Sequence, residues 1–346
     1  MHTAASWTGT IAALVLAMAG STVGARTTCT LQQVEEWPVR QVHGHLIVDG
    51  TVNGQPVDIK LGTGSQRTVL LRSGAKRLHL SRQWANGYPM LGIGGESRLE
   101  ASTVGDMTVG RFTSRGWRFL IPIDQDLGDG FDVVLGDDFF SEFDVEFDLA
   151  HSVVRLFQPQ HCQGVSLAYW SPAGATEAAI EPVFHLRPQI IFAALVNGQP
   201  LRALLDSGTT VSVLTTRDAL AAGVTPRSPG VVAAGAMTGF GDNRVDSWTG
   251  AFESFVIGDE TITNPRIRFA DIYANTTFHL TGSRVPRKFD SQQPMLLGVD
   301  FLRAHRVLVA HSQRKVYVTY VGGAVFDATG MTPASSTWLA PISPRQ

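Results

Sequence analysis

A single carboxylate at the end of an apolar segment is the residue of this chain best placed to do chemistry. Asp206 follows Leu204-Leu205 and precedes Ser207-Gly208-Thr209. Apolar residues followed by small and polar ones predict a buried strand that turns sharply at the acid. A carboxylate held in such a turn can accept or release a proton during a reaction. Because Asp-Ser-Gly is common in turns, this assignment needs further support.

An internal repeat provides that support. Residues 205–214, LDSGTTVSVL, align with residues 61–70, LGTGSQRTVL, at an offset of 144. Val134-Leu135-Gly136 later matches Leu296-Leu297-Gly298 at an offset of 162. The chain therefore contains a duplication, with about 18 extra residues in the second copy. We expect them within Thr276–Gln293, a polar stretch that lacks strand periodicity.

Both copies have the sequence pattern of β-strands. Asn53-Gly54 and Asn197-Gly198 each follow an apolar run and predict tight hairpin turns. Within residues 57–61, apolar side chains alternate with Asp58 and Lys60. This alternation predicts a strand that is buried on one face only.

Together these features resemble the retropepsin-like and pepsin-like aspartic peptidases, in which two copies of an Asp-Thr/Ser-Gly loop meet at a pseudo-twofold axis. The resemblance covers residues 45–157 and 189–320. It implies an all-β fold of two tandem retropepsin-like (acid protease) β-barrel lobes related by pseudo-twofold symmetry, with short helices. It also implies hydrolysis of peptide bonds by a carboxylate-activated water, with a peptide or protein as substrate and no cofactor.

The resemblance gives a role to each matching position. Asp206 corresponds to a catalytic aspartate. Thr63 and Ser207 correspond to the hydroxyl residues that reach across the axis and hold the loops together. Gly64 and Gly208 correspond to the glycines that allow the turn. Ser65 and Thr209 correspond to the residues that hydrogen-bond the carboxylates. Glycine-rich turns near Gly94 and Gly239 correspond to flaps that close over a substrate.

The chain departs from the family pattern at Gly62, where the resemblance requires the partner aspartate. Two carboxylates about 3 Å apart share one proton, so one acts as the base and the other as the acid. Asp206 alone cannot do both at once, and general acid–base catalysis contributes roughly 10²–10⁴-fold in rate. Asp58 is about 13 Å from position 62 along the strand, too far to act as the partner. Pairing of Asp206 between two copies is not expected, because one chain already carries both lobes.

The N-terminus has the pattern of an export signal. Residues 11–20 form an apolar run shorter than the roughly 20 residues needed to span a bilayer. Val23-Gly24-Ala25 supplies small residues for cleavage before Arg26. Cleavage would give a periplasmic or secreted protein without stable membrane insertion. The first ten residues contain no Lys or Arg, so an uncleaved anchor is the alternative.

The two cysteines, Cys29 and Cys162, flank the first repeat. An even number in an exported chain favours a disulfide, which would close the first lobe. Two unpaired buried thiols are the alternative. The sequence contains no Cys-x-x-Cys or His-x-x-x-His, so no metal site is predicted.

The predicted domain organisation follows the repeat. A signal peptide occupies 1–25, an N-terminal retropepsin-like lobe 26–157, a linker 158–187, a C-terminal retropepsin-like lobe 188–320 and a tail 321–346. The formal net charge of −2 gives no reason to expect nucleic acid as a partner. Two lobes in one chain favour a monomer.

Three functions are compatible with this sequence. The first is an exported aspartic endopeptidase whose weak activity depends on Asp206. The second is a catalytically dead pseudoprotease that binds extended peptides in the cleft between the lobes. The third is a structural or interaction scaffold. The fold alone does not distinguish them, because the site that decides function is incomplete.

Overall fold

The computed structural model describes residues 28–85, 90–124, 126–127, 130–182, 189–274, 277–279, 285–288 and 293–326. The predicted signal peptide and the predicted tail beyond residue 326 lie outside these described residues. Within them, short strands dominate and the longest helices have six residues. The predicted all-β class with short helices is confirmed.

The elements of the first repeat are mostly short strands joined by tight turns. In chain order they are β1 (Thr30–Pro38), β2 (Arg40–Val42), β3 (His45–Val52), β4 (Gln55–Leu61), β5 (Val69–Leu70), α1 (Arg72–Arg77), β6 (Gln83–Trp84), β7 (Met90–Gly92), β8 (Gly95–Ser97), β9 (Leu99–Thr103), β10 (Asp106–Val109), β11 (Phe112–Arg115), β12 (Arg118–Pro122), β13 (Val133–Leu135), α2 (Asp137–Phe140), β14 (Asp144–Asp148), a 3₁₀ turn (Leu149–His151) and β15 (Val153–Gln160).

The second repeat and the segment that leads into it continue in the same way. These elements are β16 (Thr176–Ala179), β17 (Ile191–Val196), β18 (Gln199–Leu205), β19 (Val213–Thr215), α3 (Thr216–Ala221), β20 (Val232–Met237), β21 (Val245–Ala251), β22 (Ser254–Ile257), β23 (Glu260–Thr263), β24 (Arg266–Ala270), β25 (Thr277–His279), β26 (Pro286–Lys288), β27 (Met295–Leu297), α4 (Val299–Ala304), β28 (His305–Ala310) and β29 (Lys315–Tyr320).

Two large sheets each belong to one repeat, and a third sheet is shared. The first has the order β11-β10-β3-β4-β13-β5-β12-β9-β6, with β2 beside β3. The second has the order β20-β21-β24-β19-β27-β18-β17-β22-β23. The shared sheet has the order β1-β15-β14-β28-β29-β16, and its β14–β28 pair joins the two repeats through the register Val145↔Val309. The site described below lies where the two large sheets approach each other.

Equivalent hairpins position the two loops of interest. In β3–β4, the turn residues Asn53 and Gly54 have φ angles of 50° and 72°, and Asn197 and Gly198 in β17–β18 have 48° and 75°. Two-residue hairpin turns require these left-handed conformations, which Asn and Gly adopt at little steric cost. The second strand of each hairpin then runs parallel to a short strand, β4 beside β13 and β18 beside β27. Each candidate loop begins where such a parallel pair ends.

Besides a main core that extends through both repeats, apolar side chains form smaller clusters, two of which bear on the site. We call one of these the first-lobe cluster, which contains Ile47, Val69, Leu71, Ala85, Met90, Leu99, Ala101, Leu120, Leu127, Phe131, Val134 and Phe240. The other is the second-lobe cluster, which contains Ile93, Ile191, Leu204, Val213, Met237, Val245, Ala270, Ile272 and Leu296. Phe240 and Ile93 each belong to the cluster of the opposite repeat.

The disulfide lies at the edge of the shared sheet. Cys29 and Cys162 are bonded to each other, and the neighbouring residues Thr30 and Gln160 form the first pair of the β1–β15 ladder. The bond therefore closes a loop of 133 residues in sequence separation that contains most of the first repeat.

Two sequence expectations are corrected by the fold. Lys60, expected on an open face of its strand, is only 1% exposed, because β4 lies between β3 and β13 and is covered on both faces near its end. The stretch Thr276–Gln293, expected to lack strands, contains the antiparallel pair β25–β26. Its short strands carry no alternation long enough to detect in sequence. The predicted linker 158–187 also contributes β16 to the shared sheet.

Among the residues that the structure describes, no helix is long and apolar enough to cross a membrane. The same residues contain no cluster of three or more His, Cys, Asp or Glu side chains that could hold a metal ion.

Candidate active site

Asp206 lies fully buried at the end of β18, held in place by three hydrogen-bond donors. The backbone N–H groups of Gly64 and Gly208 donate to its Oδ1 at 3.1 and 2.9 Å, and Thr209 Oγ1 donates to its Oδ2 at 2.6 Å. Donors directed at a buried carboxylate fix its orientation. Since Gly64 comes from the first repeat, both repeats build the environment of this acid.

Gly62 occupies the same backbone position in the first repeat that Asp206 occupies in the second. The N–H of Gly62 donates to Leu135 O at 3.0 Å, and Ser65 N–H donates to Gly62 O at 3.0 Å. Asp206 makes the matching two hydrogen bonds in the second repeat, at 2.9 and 3.1 Å. The two loops are therefore alike in backbone geometry and differ in the side chain at this position.

Hydroxyl groups link the two loops across the boundary between the repeats. Thr63 Oγ1 donates to Leu205 O at 2.9 Å and accepts from Ser207 N–H at 3.0 Å. Ser207 Oγ accepts from Thr63 N–H at 3.1 Å. All of these groups are buried, so their loss would leave unsatisfied polar atoms at the centre of the molecule. The links hold Gly62 and Asp206 face to face.

Glycine at position 64 permits the close approach of the loops. A Cβ atom placed on Gly64 would lie 2.4 Å from the Cγ of Asp206. Gly136 and Gly298, which follow β13 and β27, are equally restricted, since a Cβ there would lie within 2.5 and 2.6 Å of loop backbone atoms. Any larger residue would force these loops apart.

Comparison with known proteins identifies the family to which these paired loops belong. The profile of the family described as Aspartyl protease matches residues 48–139 and 192–301, which is one match for each repeat and more than half of the chain. The chain belongs to the aspartyl protease family. The resemblance stated from the sequence is confirmed.

Solved structures of aspartyl proteases are among the matches. The aspartic proteinase of Irpex lacteus is 13% identical with a TM-score of 0.48, covering 86% of this chain and 99% of that one. A retropepsin-like aspartic protease from Rickettsia conorii is 16% identical with a TM-score of 0.29, covering 38% of this chain and 95% of that one. No curated protein sequence gives a significant match.

The space beside Gly62 in this aspartyl protease-family chain is occupied by Val134. A Cβ atom on Gly62 would lie 2.6 Å from Val134 Cγ1, closer than non-bonded carbons approach. Val134 is fully buried on β13, next to β4. A carboxylate at position 62 would therefore require Val134 to move.

Ser65 is the site residue whose predicted interaction differs from the structure. It was expected to hydrogen-bond a carboxylate, as Thr209 does with Asp206. Its Oγ instead donates to Arg67 O at 2.6 Å. The physical reason is that position 62 has no carboxylate to accept this hydrogen bond. The hydroxyl therefore donates to a backbone carbonyl of its own loop.

Two further acids, Asp58 and Asp300, have other roles. Asp58 Oδ1 accepts from Arg40 at 2.5 Å, and its side chain is 44% exposed. Asp300 accepts from the backbone and hydroxyl of Ser212 at 2.9 and 2.6 Å, and it fastens the second loop to α4. Burial raises the pKa of Asp300 to about 6, against the opposing effect of these hydrogen bonds. Its role in this structure is to support the loop.

The two predicted flap regions contact each other. Gly94, in the turn between β7 and β8, donates its N–H to Phe240 O at 2.9 Å, and Asn243 Nδ2 donates to Gly94 O at 2.7 Å. Phe240 is fully buried in the first-lobe cluster, and Ile93 is buried in the second-lobe cluster. Each loop thus inserts an apolar side chain into the opposite lobe.

Sequence reasoning missed Phe240, Asn243 and Lys60. The contacts of Phe240 and Asn243 join residues almost 150 positions apart, and no local pattern signals them. For Lys60 a signal existed. The repeat aligns it with Leu204, so a charged residue stands where the other copy is apolar.

Proposed function

We propose that this chain is an exported member of the aspartyl protease family that binds extended peptides between its lobes and hydrolyses them slowly through Asp206. The observation that carries the proposal is the environment of Asp206. Its carboxylate is fully buried, oriented by three donors and approached by the loop of the other repeat. Such a costly arrangement is what positioned acid–base chemistry requires.

The chemistry follows from one carboxylate acting in sequence. Ionised Asp206 accepts a proton from a water molecule, whose oxygen attacks the peptide carbonyl carbon. The tetrahedral adduct collapses when Asp206 returns that proton to the amide nitrogen, and the C–N bond breaks. A second acid would donate a hydrogen bond to the carbonyl oxygen during attack, and Gly62 supplies none. We therefore expect a rate lower than that of a complete dyad by roughly 10²–10⁴-fold.

Peptide binding without cleavage is the second candidate, and Val134 favours it. The place of the partner side chain is taken by a packed methyl group. If the site lacked nothing but the partner carboxylate, space for that carboxylate would be expected beside position 62.

Digestion of a peptide library between pH 3 and pH 7 separates the two candidates. We expect slow cleavage that Asp206→Asn abolishes and that pepstatin inhibits. Asp58→Asn is the matched control, because it makes the same chemical change at a half-exposed carboxylate outside the site. Cleavage that survives in Asp206→Asn would rule out the proposed mechanism. A wild-type chain that binds peptides and never cleaves them would establish the second candidate.

Restoring the partner acid tests the reason for the low rate. Gly62→Asp combined with Val134→Ala supplies the carboxylate and removes the obstructing methyl groups. We expect cleavage to increase by at least about 10²-fold over the wild type. Val134→Ala alone should leave the rate low. An unchanged rate in the well-folded double variant would show that the missing acid is not what limits the reaction.

Export is supported by the disulfide, because such bonds persist in oxidising compartments. Expression of the full chain in a bacterial host, followed by fractionation and N-terminal sequencing, tests it. We expect a mature protein that begins at Arg26. Retention of residues 1–25 in the membrane fraction would favour the anchor instead.

A further inference from the structure

Lys60 is a buried lysine that makes no close ion pair with any of the described residues. It is 1% exposed, and among the described residues it forms neither a hydrogen bond nor an ion pair. Its Nζ lies over the ring of Phe131, 4.7 Å from the ring centroid. Burying an unpaired ammonium group opposes folding, and proteins rarely keep one without a use for it.

Asp206 stabilises the charge of Lys60 only in part, because the two side chains form no ion pair. Burial lowers the pKa of Lys60 to about 8, so the amine is still protonated at neutral pH, and the negative field of Asp206 opposes that lowering. Burial and the nearby Lys60 lower the pKa of His45 to about 2, so this imidazole is neutral. The site therefore holds a positive charge that a carboxylate could pair with.

Lys60 stands beside the place where a substrate would lie. It is two residues before Gly62, and because side chains alternate along a strand, both positions face the same way. Its register partner on β13 is Val134, the residue that packs against Gly62. The first-lobe cluster, with Phe131 and Val134, lines this same face.

The second repeat shows that the fold itself does not need a lysine here. The equivalent residue is Leu204, which is fully buried in the second-lobe cluster. The two halves of the cleft are thus alike in shape and differ in charge. An apolar residue would satisfy packing in both.

Separation of the flap regions would create space for a ligand side chain beside Lys60. Phe240 enters the first-lobe cluster from the opposite lobe, and hydrogen bonds around Gly94 are among the contacts that hold it there. Withdrawal of Phe240 would expose an apolar pocket whose wall carries one ammonium group.

We propose that Lys60 is a specificity residue that binds the carboxylate of an Asp or Glu side chain of a peptide in the first-lobe pocket. The inference rests on the proposed peptide-binding function and names the class of peptide. An incoming carboxylate pairs the buried charge, whereas an amide or apolar side chain of equal size leaves it unpaired. The second lobe, with Leu204, takes an apolar side chain in the equivalent place.

The test uses extended peptides with a non-hydrolysable central bond. Each pair of peptides differs only at one position, which is Glu in one peptide and Gln in the other. That position is moved along the peptide from pair to pair. Binding is followed by fluorescence anisotropy at pH 6.5 with the wild-type chain. We expect one position near the central bond at which Glu binds at least about 10-fold more tightly than Gln, as close charge pairs typically provide. Equal affinities at every position would overturn the inference while leaving peptide binding intact.

Variants show whether the preference comes from Lys60. Lys60→Leu, which copies the second repeat, should bring the Glu-to-Gln ratio to about one, and Lys60→Met serves if the leucine variant does not fold. Lys76→Leu makes the same chemical change at an exposed lysine of α1, and as the matched control it should keep the ratio. A preference that persists without Lys60 would overturn the inference. If no extended peptide binds to the wild-type chain, the proposed function fails first.

Discussion

A single buried lysine gives this chain a measurable dependence of stability on pH. The pKa of Lys60 is lowered by burial to about 8 in the folded chain, below its ordinary value of 10.5. Between these values the unfolded chain binds more protons at this residue, so stability rises as pH increases from about 8 to 10.5. Below pH 8 the buried charge costs about 3 kcal/mol.

Lys60→Met should therefore be more stable than the wild type at pH 7, by up to about 3 kcal/mol. The difference should shrink as pH rises from about 8 and should vanish only above 10.5, where the wild-type amine is neutral in both states. Chemical denaturation at intervals between pH 7 and 10.5 measures it. If the free energy of unfolding depends on pH in the same way in both chains, the pKa of Lys60 is not lowered by burial.

The same residue shows where sequence reasoning reached its limit. Alternation with Asp58 predicted that Lys60 faces outward, and this holds for Asp58, which is half exposed. Lys60 is covered because Phe131 and the first-lobe cluster pack over the end of β4, which depends on the tertiary fold. By contrast, the resemblance to the aspartic peptidases placed Asp206 and Gly62 opposite each other, since it implies that the duplicated loops meet at a pseudo-twofold axis.

At the scale of elements, the loops after β4 and β18 depend on each other. Thr63→Val removes the hydroxyl that bonds Leu205 O and Ser207 N–H. We expect a loss of about 1–3 kcal/mol in the free energy of unfolding, because buried partners are left unsatisfied. We also expect weaker cleavage, because the backbone around Asp206 loses its support.

Thr113→Val is the control for that change. Thr113 is exposed on β11 and hydrogen-bonds only across its own hairpin to Thr108 among the bonds described. Urea denaturation should show less than about 0.5 kcal/mol for this variant. Equal effects of the two substitutions would mean that the link between the loops contributes nothing special.

The element pattern was predictable to the extent that it is local. Asn-Gly turns and alternating apolar residues located β3, β4, β17 and β18. The shared sheet was not predictable, because it pairs β1 with β15, β14 with β28 and β16 with β29, which are all far apart in the chain. No short-range signal in residues 158–187 indicates that β16 would join β29.

At the scale of the whole molecule, a buried ion cluster joins the repeats in the shared sheet. Glu146 is fully buried and accepts from Arg155 Nη1 at 2.7 Å and from Arg306 Nη2 at 2.7 Å. Arg155 belongs to the first repeat and Arg306 to the second. Removing one member of such a group leaves buried charges without their partner.

Glu146→Gln should lower the free energy of unfolding by about 3 kcal/mol or more. Glu177→Gln, which breaks the exposed pair with Lys315, should change it by less than about 1 kcal/mol. Thermal or chemical unfolding measures both. A small effect at Glu146 would show that the apolar pairs of β14 and β28 are sufficient to join the repeats.

The disulfide contributes at the same scale. Cys29 and Cys162 close a sequence separation of 133 residues, for which chain entropy gives up to about 5 kcal/mol. Changing both cysteines to serine should lower the free energy of unfolding by no more than this value. Chemical denaturation measures the change. Unchanged stability would indicate that the unfolded chain is already compact without the bond.

The contact between Gly94 and Phe240 has a kinetic consequence. A peptide that binds between the lobes beneath these joined loops can enter only after the loops separate. Only chains whose loops have separated can bind a peptide. The apparent affinity is therefore the intrinsic affinity multiplied by the fraction of chains in that open state. In a rapid-mixing experiment the observed association rate should therefore reach a plateau as the peptide concentration increases, and the plateau equals the rate at which the loops separate.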